Sequence, residues 1–383
     1  MIRVAHVLYS YLPVTQNWIY TQLRANRECD HHVISLTEEN TAQFPWRHRR
    51  CAFPPGSPVS AAGLLMARYR IAQPGGFFRA ALAHAQPDVV HGHFSTESWR
   101  VLGFARAAAL PLVTTFYGLD VDKLSRRRAW KPRYRDLFAY GSRFIVEGPF
   151  MGKRLCAIGC PEEKIRVVAL GVERQLYRGA ADSSGMRDGN KVRVLFVGLD
   201  REKKGPLDAV KTFCEAACVN RNLELHVAGD GRYRGEVERA LYRAGVRDRA
   251  VFHGYISFER YRALLAECDI VLVPSRHAAD GDSEGGAPVV CIEAQAAGRP
   301  VVGTRHCDIP FVVSDGGSGL LCDEGDTASM ARALLRLAAD DGMRRRMGVC
   351  GMAHAAQQHD STVQAEAIAG VYRSVVREVG GHG

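Results

Sequence analysis

No apolar run in this 383-residue chain reaches the roughly 18 uninterrupted residues that a membrane-spanning helix needs, so any membrane contact is expected to be peripheral. A disulfide framework is also missing. The eleven cysteines are odd in number, scattered and set mostly in apolar runs, as at Cys268 before Ile270 and at Cys291 between Val290 and Ile292. Such usage fits buried thiols in a reducing compartment. No Gly-x-Gly-x-x-Gly opens a helix after the first strand-like segment, which disfavours a dinucleotide-dependent dehydrogenase. Residues 1–9 read as a strand and lack the long apolar segment of a secretory leader, so a cytoplasmic location is expected.

What is present is ordinary globular composition, 46% hydrophobic and 24% charged, at a length that predicts two domains. The net charge of +10 is uneven: residues 1–190 hold 26 basic and 15 acidic side chains, and residues 191–383 hold 25 and 26. The whole excess sits in the first half, which predicts an anionic partner there. Strand-like segments at 4–9, 32–36, 89–91, 112–116, 144–146 and 165–168 alternate with helical periods at 18–27, 77–84, 99–109 and 133–140. Repeated β-then-α units imply a doubly wound α/β domain. A polar, glycine-rich stretch at 178–190 reads as a linker. The alternation then restarts, with strands at 193–197, 224–228, 250–253, 270–273, 300–303 and 319–322. Helices fall at about 205–218, 235–244, 257–268, 289–297 and 327–339. The expected division is 1–177, the linker, and 191–359, with a last helix at about 360–383 crossing back onto the first domain.

Three segments of the second half converge on a phosphate-bearing nucleotide. A strand ending at Gly198 runs into Leu199-Asp200-Arg201-Glu202-Lys203-Lys204-Gly205, where a basic cluster precedes a helix start, the setting of an anion site. Gly229-Asp230-Gly231 ends another strand in a turn at the carboxyl edge of the sheet, although a turn needing positive φ explains it equally well. In Asp282-Ser283-Glu284-Gly285-Gly286-Ala287-Pro288-Val289 the glycines permit close backbone approach to a ligand, and Pro288 suits a first helical turn. Glu284 precedes this helix and Glu293 lies on it between apolar neighbours, so both carboxylates can accept hydrogen bonds from sugar or ribose hydroxyls.

The order of these pieces, followed by Pro300-Val301-Val302-Gly303-Thr304 and Gly317-Ser318-Gly319-Leu320-Leu321, resembles the retaining nucleotide-sugar glycosyltransferases of family 4, also called group 1. In the first half, residues 87–94 (Pro-Asp-Val-Val-His-Gly-His-Phe) and 114–120 (Thr-Thr-Phe-Tyr-Gly-Leu-Asp) look like a subgroup that builds exopolysaccharide, colanic-acid-type and other surface glycans. The resemblance implies a GT-B fold, two Rossmann-like domains facing across a cleft, with the donor held mainly by the second and the acceptor by the first. By position it implies that Lys204 meets the donor diphosphate, Glu284 the donor sugar and Glu293 the ribose. Backbone around Gly198, Gly229, Gly285, Gly286, Ala287, Pro288 and Val289 would complete the contacts, and Gly254-Tyr255 would hold the base. Asn17, His93, Tyr117, Gly118 and Asp120 are the acceptor-side candidates. The sequence departs from the family pattern at four places. Glu284 and Glu293 are nine apart where the family spacing is eight. Leu199 replaces an arginine, for which Arg201 is the substitute offered by the same loop. Tyr117 replaces a histidine, and Phe311 stands at a site that is often glutamate.

Rival signals are weaker. Asp280-Gly281-Asp282 mimics a metal-binding Asp-x-Asp but lies in the wrong loop, so no metal or other cofactor is expected. His91 and His93 lack further zinc ligands and are expected to line the cleft, and the pairs Cys156/Cys160 and Cys214/Cys218 fall in different domains. Arg126-Arg127-Arg128, with Lys131, Arg133 and Arg135 interleaved by Trp130 and Tyr134, could bind RNA, yet no recognition signature accompanies it. Peripheral contact with anionic membrane at its cytoplasmic face, or with a lipid-linked diphosphate, is the better expectation, and no nucleic-acid partner is expected. The expected partners are therefore a nucleotide-sugar donor and a glycan or lipid-linked acceptor. A nucleotide-sugar 2-epimerase on the same fold and a non-catalytic basic nucleotide- or RNA-binding protein are the alternatives.

Overall fold

The computed structural model describes residues 1–13, 16–56, 58–68, 74–177 and 191–380, and the expected linker 178–190 lies outside the described residues. The chain divides into two units, Met1–Gly171 with Ser361–Gly383, and Val172–Asp360.

The first unit is built on strands β1 (Ile2–Tyr11), β2 (Cys29–Glu38), β3 (Arg49–Phe53), β4 (Val89–His93), β5 (Leu112–Thr115), β6 (Arg143–Val146) and β7 (Ile165–Val167), parallel in the order β3-β2-β1-β4-β5-β6-β7. Central strands such as β5 are buried along their whole length, as expected when helices cover both faces. One face packs on Phe78, Leu82, Val101, Leu137 and Phe138. The other is covered by the helix Ser361–Gly380, which lays Ile368, Val371, Tyr372 and Val375 against Val4, Val89, Val113 and Ile145.

The second unit carries β8 (Val192–Val197), β9 (Leu223–Ala228), β10 (Ala250–Gly254), β11 (Ile270–Val273), β12 (Val301–Thr304) and β13 (Gly319–Cys322), parallel in the order β10-β9-β8-β11-β12-β13. In both sheets the order reverses beside the first strand, between β1 and β4 and between β8 and β11. Chain leaves such a point toward opposite faces and opens a crevice outside the carboxyl ends of the strands.

The expected strands occur within two residues of their positions or extend slightly further, but several elements exceed the sequence expectation. The edge strand β3, Arg-Arg-Cys-Ala-Phe, pairs only with β2 and has no apolar alternation to announce it. Helices also form at Pro58–Arg68, Pro149–Ala157 and Asp341–Gln358. The last is rich in arginine and small residues. Asp340 caps it by accepting the Met343 N–H at 2.8 Å, and Gly348 lies so close to Gly298 that a Cβ would stand 2.3 Å from the Gly298 carbonyl oxygen. Close approach, not an apolar stripe, seats this helix. The domain boundary also needs correction. Residues 172–177, expected with the first domain, belong to the second unit, where the Val172 N–H meets the His359 carbonyl, Arg174 pairs with Asp360 and Tyr177 reaches Glu293.

Candidate active site

The loops leaving β8 and β11 meet at the reversal point of the second sheet. Gly205 holds a left-handed φ of +65° and lies against Pro274, just past β11, so closely that a Cβ would come within 2.0 Å of the Pro274 carbonyl oxygen. That contact draws the β8 loop toward β11 and brings Lys204 Nζ to 3.0 Å from Glu284 Oε1 and 3.1 Å from Oε2. Ser275 Oγ donates to Glu284 Oε1 at 3.0 Å, and the Glu284 N–H donates to His306 Nε2 at 3.1 Å. Burial works against the Glu284 charge, yet the Lys204 and Lys203 ammoniums outweigh it and hold its pKa below the ordinary value. Lys203 itself donates to the Ser283 carbonyl at 2.8 Å and pairs with Asp282 at 3.4 Å. Asp280 accepts the Asp282 N–H, so the Asp-Gly-Asp run is occupied in shaping this loop.

Glycines line the same edge. Gly198, Gly229, Gly254 and Gly285 all have positive φ, and the Gly229 N–H closes onto the Gly254 carbonyl at 2.8 Å. A Cβ on Gly198 would meet Lys204 Cγ at 3.1 Å, and one on Gly229 would reach Gly198 Cα at 3.6 Å. Side chains at these positions would crowd the space beside the lysine. The helix Val289–Ala296 begins after Gly286-Ala287-Pro288 without a side-chain cap, which leaves its first-turn N–H groups suited to an anion. Glu293, buried on that helix, accepts the hydroxyls of Tyr177 at 2.8 Å and Tyr261 at 2.6 Å, one on each oxygen. Burial raises its pKa despite these two donors.

Two donor-side candidates stand apart. The Arg201 side chain is largely exposed and pairs with Asp200 at 3.4 Å, and only its backbone carbonyl, which accepts the Lys204 N–H at 3.1 Å, joins it to the lysine. Tyr255 is 80% exposed beyond β10. Ser275, His306, Tyr177 and Tyr261 were not foreseen, since each is a single common residue far in sequence from the carboxylate it touches.

In the first unit the acceptor-side candidates surround the β1/β4 reversal. Asn17 opens the helix Asn17–Ala25 after β1 and is half-buried. His93, expected to line a cleft with His91, is fully buried, as is His91; both corrections follow from parallel register, which pairs His6 with His91 beneath the Ser361–Gly380 helix. His31 Nε2 meets the Asn26 carbonyl at 2.8 Å, His31 Nδ1 meets His6 Nε2 at 2.8 Å, His6 Nδ1 meets His93 Nε2 at 3.0 Å, and His93 Nδ1 meets the Tyr117 hydroxyl at 3.1 Å. Burial first, and then the neighbouring imidazoles, push His6 and His93 well down, His93 to about 3, and burial lowers His31 against the pull of the Asn26 carbonyl, so the rings are neutral at pH 7. The carbonyl can only accept, and one proton per ring then fixes every bond: each ring donates toward Asn26, and Tyr117 donates to His93. Asp120 is buried and accepts Ser95 N–H, Ser95 Oγ–H and Tyr117 N–H, with burial raising it to about 7. It holds the Tyr117-Gly118 turn from within.

Arg126, Arg127 and Arg128 are exposed, whereas Trp130 and Tyr134 are core residues, so the basic stretch offers no exposed aromatic platform for bases. No described helix is long and apolar enough to cross a membrane.

Residues 191–340 match the family described as glycosyl transferases group 1, and residues 19–176 match glycosyltransferase family 4. The chain is 33% identical over 227 residues to the amylovoran biosynthesis glycosyltransferase AmsK of Erwinia amylovora, a match covering 59% of this chain and 54% of that relative's length. It is 31% identical over 319 residues to a D-inositol 3-phosphate glycosyltransferase of Acidothermus cellulolyticus, covering 76% of this chain and 68% of that one. In fold it is similar to HepE of Anabaena, solved in complex with UDP, with a TM-score of 0.79 at 17% identity over 97% of this chain and all of that one. The two parallel Rossmann-like sheets are those of the GT-B fold, and the chain belongs to the group 1, family 4 glycosyltransferases.

Proposed function

We propose that this chain is a retaining glycosyltransferase that moves a sugar from a nucleotide-diphosphate sugar to a hydroxyl of a glycan or lipid-linked acceptor in surface polysaccharide or glycoconjugate biosynthesis. The observation that carries the reading is the convergence of Lys204, the uncapped helix start before Val289 and the buried Glu284 carboxylate at the reversal point of the second sheet. The reading is further supported by AmsK's role in amylovoran biosynthesis and by the UDP bound to HepE.

In this reading Lys204 and the helix N–H groups neutralise the charge that builds on the departing diphosphate, so no metal is given a part in the transfer. Glu284, held ionised, accepts from hydroxyls of the donor sugar. Glu293 receives one tyrosine hydroxyl on each oxygen and keeps a second lone pair on each, enough to accept from the ribose. No side chain serves as nucleophile, and the departing phosphate takes the acceptor proton. Tyr117 has its proton committed to His93, so its oxygen faces an acceptor hydroxyl only as a hydrogen-bond acceptor. The exposed Arg126–Arg128 stretch docks an anionic, cytoplasmic membrane face or a lipid-linked diphosphate. Incubation with a panel of nucleotide sugars tests the assignment: nucleotide release should occur with one of them and fall sharply in Lys204→Ala and Glu284→Ala. Release that persists in both variants removes these residues from the mechanism.

A further inference from the structure

We propose that His277, His306 and Cys307 form a binding site for a divalent ion of the zinc class. One ligand atom from each lies within 4.8 Å of the other two, and Cys307 Sγ is 3.2 Å from His306 Nε2. His277 follows β11, His306 and Cys307 follow β12, and Glu324 follows β13, so three neighbouring strand ends supply the cluster. Glu324 takes both rings from outside, meeting His306 Nδ1 at 2.7 Å and His277 Nδ1 at 3.0 Å. A carboxylate only accepts, so both protons sit on Nδ1 and both ring lone pairs on Nε2. This is how an outer carboxylate orients histidine ligands. Imidazole and thiolate together suit zinc-like ions, and ligand atoms around such an ion stand about 3.5 Å apart, a separation that the His306–Cys307 pair already approaches. The His277 side chain is 48% exposed, which gives the ion an entry path and leaves a fourth position for water.

The buried His6, His91 and His93 cluster lacks these properties. Its ring nitrogens meet His31, Tyr117, Tyr372, Thr115 or one another, with no thiol or carboxylate among these partners, and none of its rings is exposed.

The site is joined to Glu284, because His306 Nε2 is also the acceptor of the Glu284 N–H. One lone pair cannot serve both, so a bound ion releases that amide and disturbs the loop carrying Glu284. Ion binding is therefore antagonistic to nucleotide diphosphate binding; this coupling rests on the donor-site reading above, whereas the site itself does not.

The test is cobalt(II) titration of the full chain after chelator treatment. A thiolate-to-cobalt charge-transfer band and the intense visible bands of tetrahedral cobalt are expected at one ion per chain. Cys307→Ser should abolish the charge-transfer band, while His277→Ala, at an exposed position, and Glu324→Gln should each weaken binding by about tenfold or more with circular dichroism unchanged. A band that survives Cys307→Ser, or no cobalt binding below millimolar concentration, overturns the site. Zinc should in turn weaken UDP binding about tenfold in the wild type and not in His277→Ala. Unchanged UDP affinity beside an intact cobalt spectrum overturns the coupling alone, and failure to bind either uridine or guanosine diphosphate without any metal counts against the donor-site reading instead; if only guanosine diphosphate binds, it takes the place of UDP in this assay.

Discussion

Replacing either member of the Lys204–Glu284 pair should have unequal consequences, because the two groups are unequally buried. Glu284 keeps only 7% side-chain exposure and Lys204 keeps 30%. At 3.0 Å and an effective dielectric near 20 the attraction is about 5 kcal/mol, most of it set against the desolvation of the carboxylate. Lys204→Met strands a buried charge whose remaining support is the more distant Lys203 charge, the Ser275 hydroxyl and the nearby His306 ring, and should cost about 3 kcal/mol. Glu284→Gln leaves an ammonium that water can reach and an amide that still accepts from Ser275, and should cost about 1 kcal/mol. The double variant should cost little more than Glu284→Gln, giving a coupling of about 2–3 kcal/mol. The four tryptophans, Trp18, Trp46, Trp99 and Trp130, all lie in the first unit, so their fluorescence reports that unit while far-ultraviolet circular dichroism reports both. In urea the Lys204→Met transition should fall by about 1.5 M in the dichroism component that fluorescence does not share. The pH dependence carries a sign as well. In the wild type the lowered Glu284 pKa contributes stability that is present above the ordinary carboxylate range and lost as pH falls through the folded value. Without Lys204 the stranded carboxyl is relieved by protonation, so the deficit should shrink toward pH 4. Equal costs for the two single variants, or a double variant equal to their sum, would refute this reasoning.

Three further outcomes are expected. His6, His91 and His93 stay neutral when folded while unfolded imidazoles are protonated at pH 5, so stability is lost as pH falls through the ordinary imidazole range, and the lowered His31 adds to that loss; Asp120, raised to about 7, returns part of it over the same range. The fluorescence-monitored unfolding of the first unit should therefore show stability falling by a few kcal/mol, on the order of 3, between pH 7 and pH 5, and a flat or rising profile would contradict the neutral histidines. Gly205→Ala places a Cβ against the Pro274 carbonyl at a left-handed φ, so at least about 2 kcal/mol of stability and most nucleotide binding should be lost, while wild-type behaviour in calorimetry would show that this approach does not position Lys204. Reversal of Arg126, Arg127 and Arg128 to Glu should reduce cosedimentation with anionic vesicles and leave donor hydrolysis intact; equal loss of both would disconnect the basic surplus from docking.

Much of this was legible in the chain because buried parallel strands are short apolar runs. Segments such as Ile270–Val273 stood out, and the loops after them carried Lys204, Glu284 and the glycines. The partners of those residues were not legible. Lys204 and Glu284 are 80 positions apart, and only the reversal of strand order beside β8 makes them neighbours. Histidines 6, 31, 91 and 93 looked like separate strand residues until parallel register aligned them into one chain of hydrogen bonds. Nothing local distinguishes Tyr177 from the end of the first domain, and its place in the second unit and its role emerge only from the hydrogen bond to Glu293. The helix Asp341–Gln358 escaped notice for a related reason: small residues that permit close packing leave no apolar period to read.

The central claim is that a nucleoside diphosphate binds at the reversal point of the second sheet through Lys204. Isothermal titration of uridine and guanosine diphosphates into the wild-type chain and into Lys204→Ala tests it most directly. One diphosphate should bind at one site per chain and lose at least about tenfold in affinity when the charge-assisted contact is removed. Affinity that is unchanged in the variant would contradict the account.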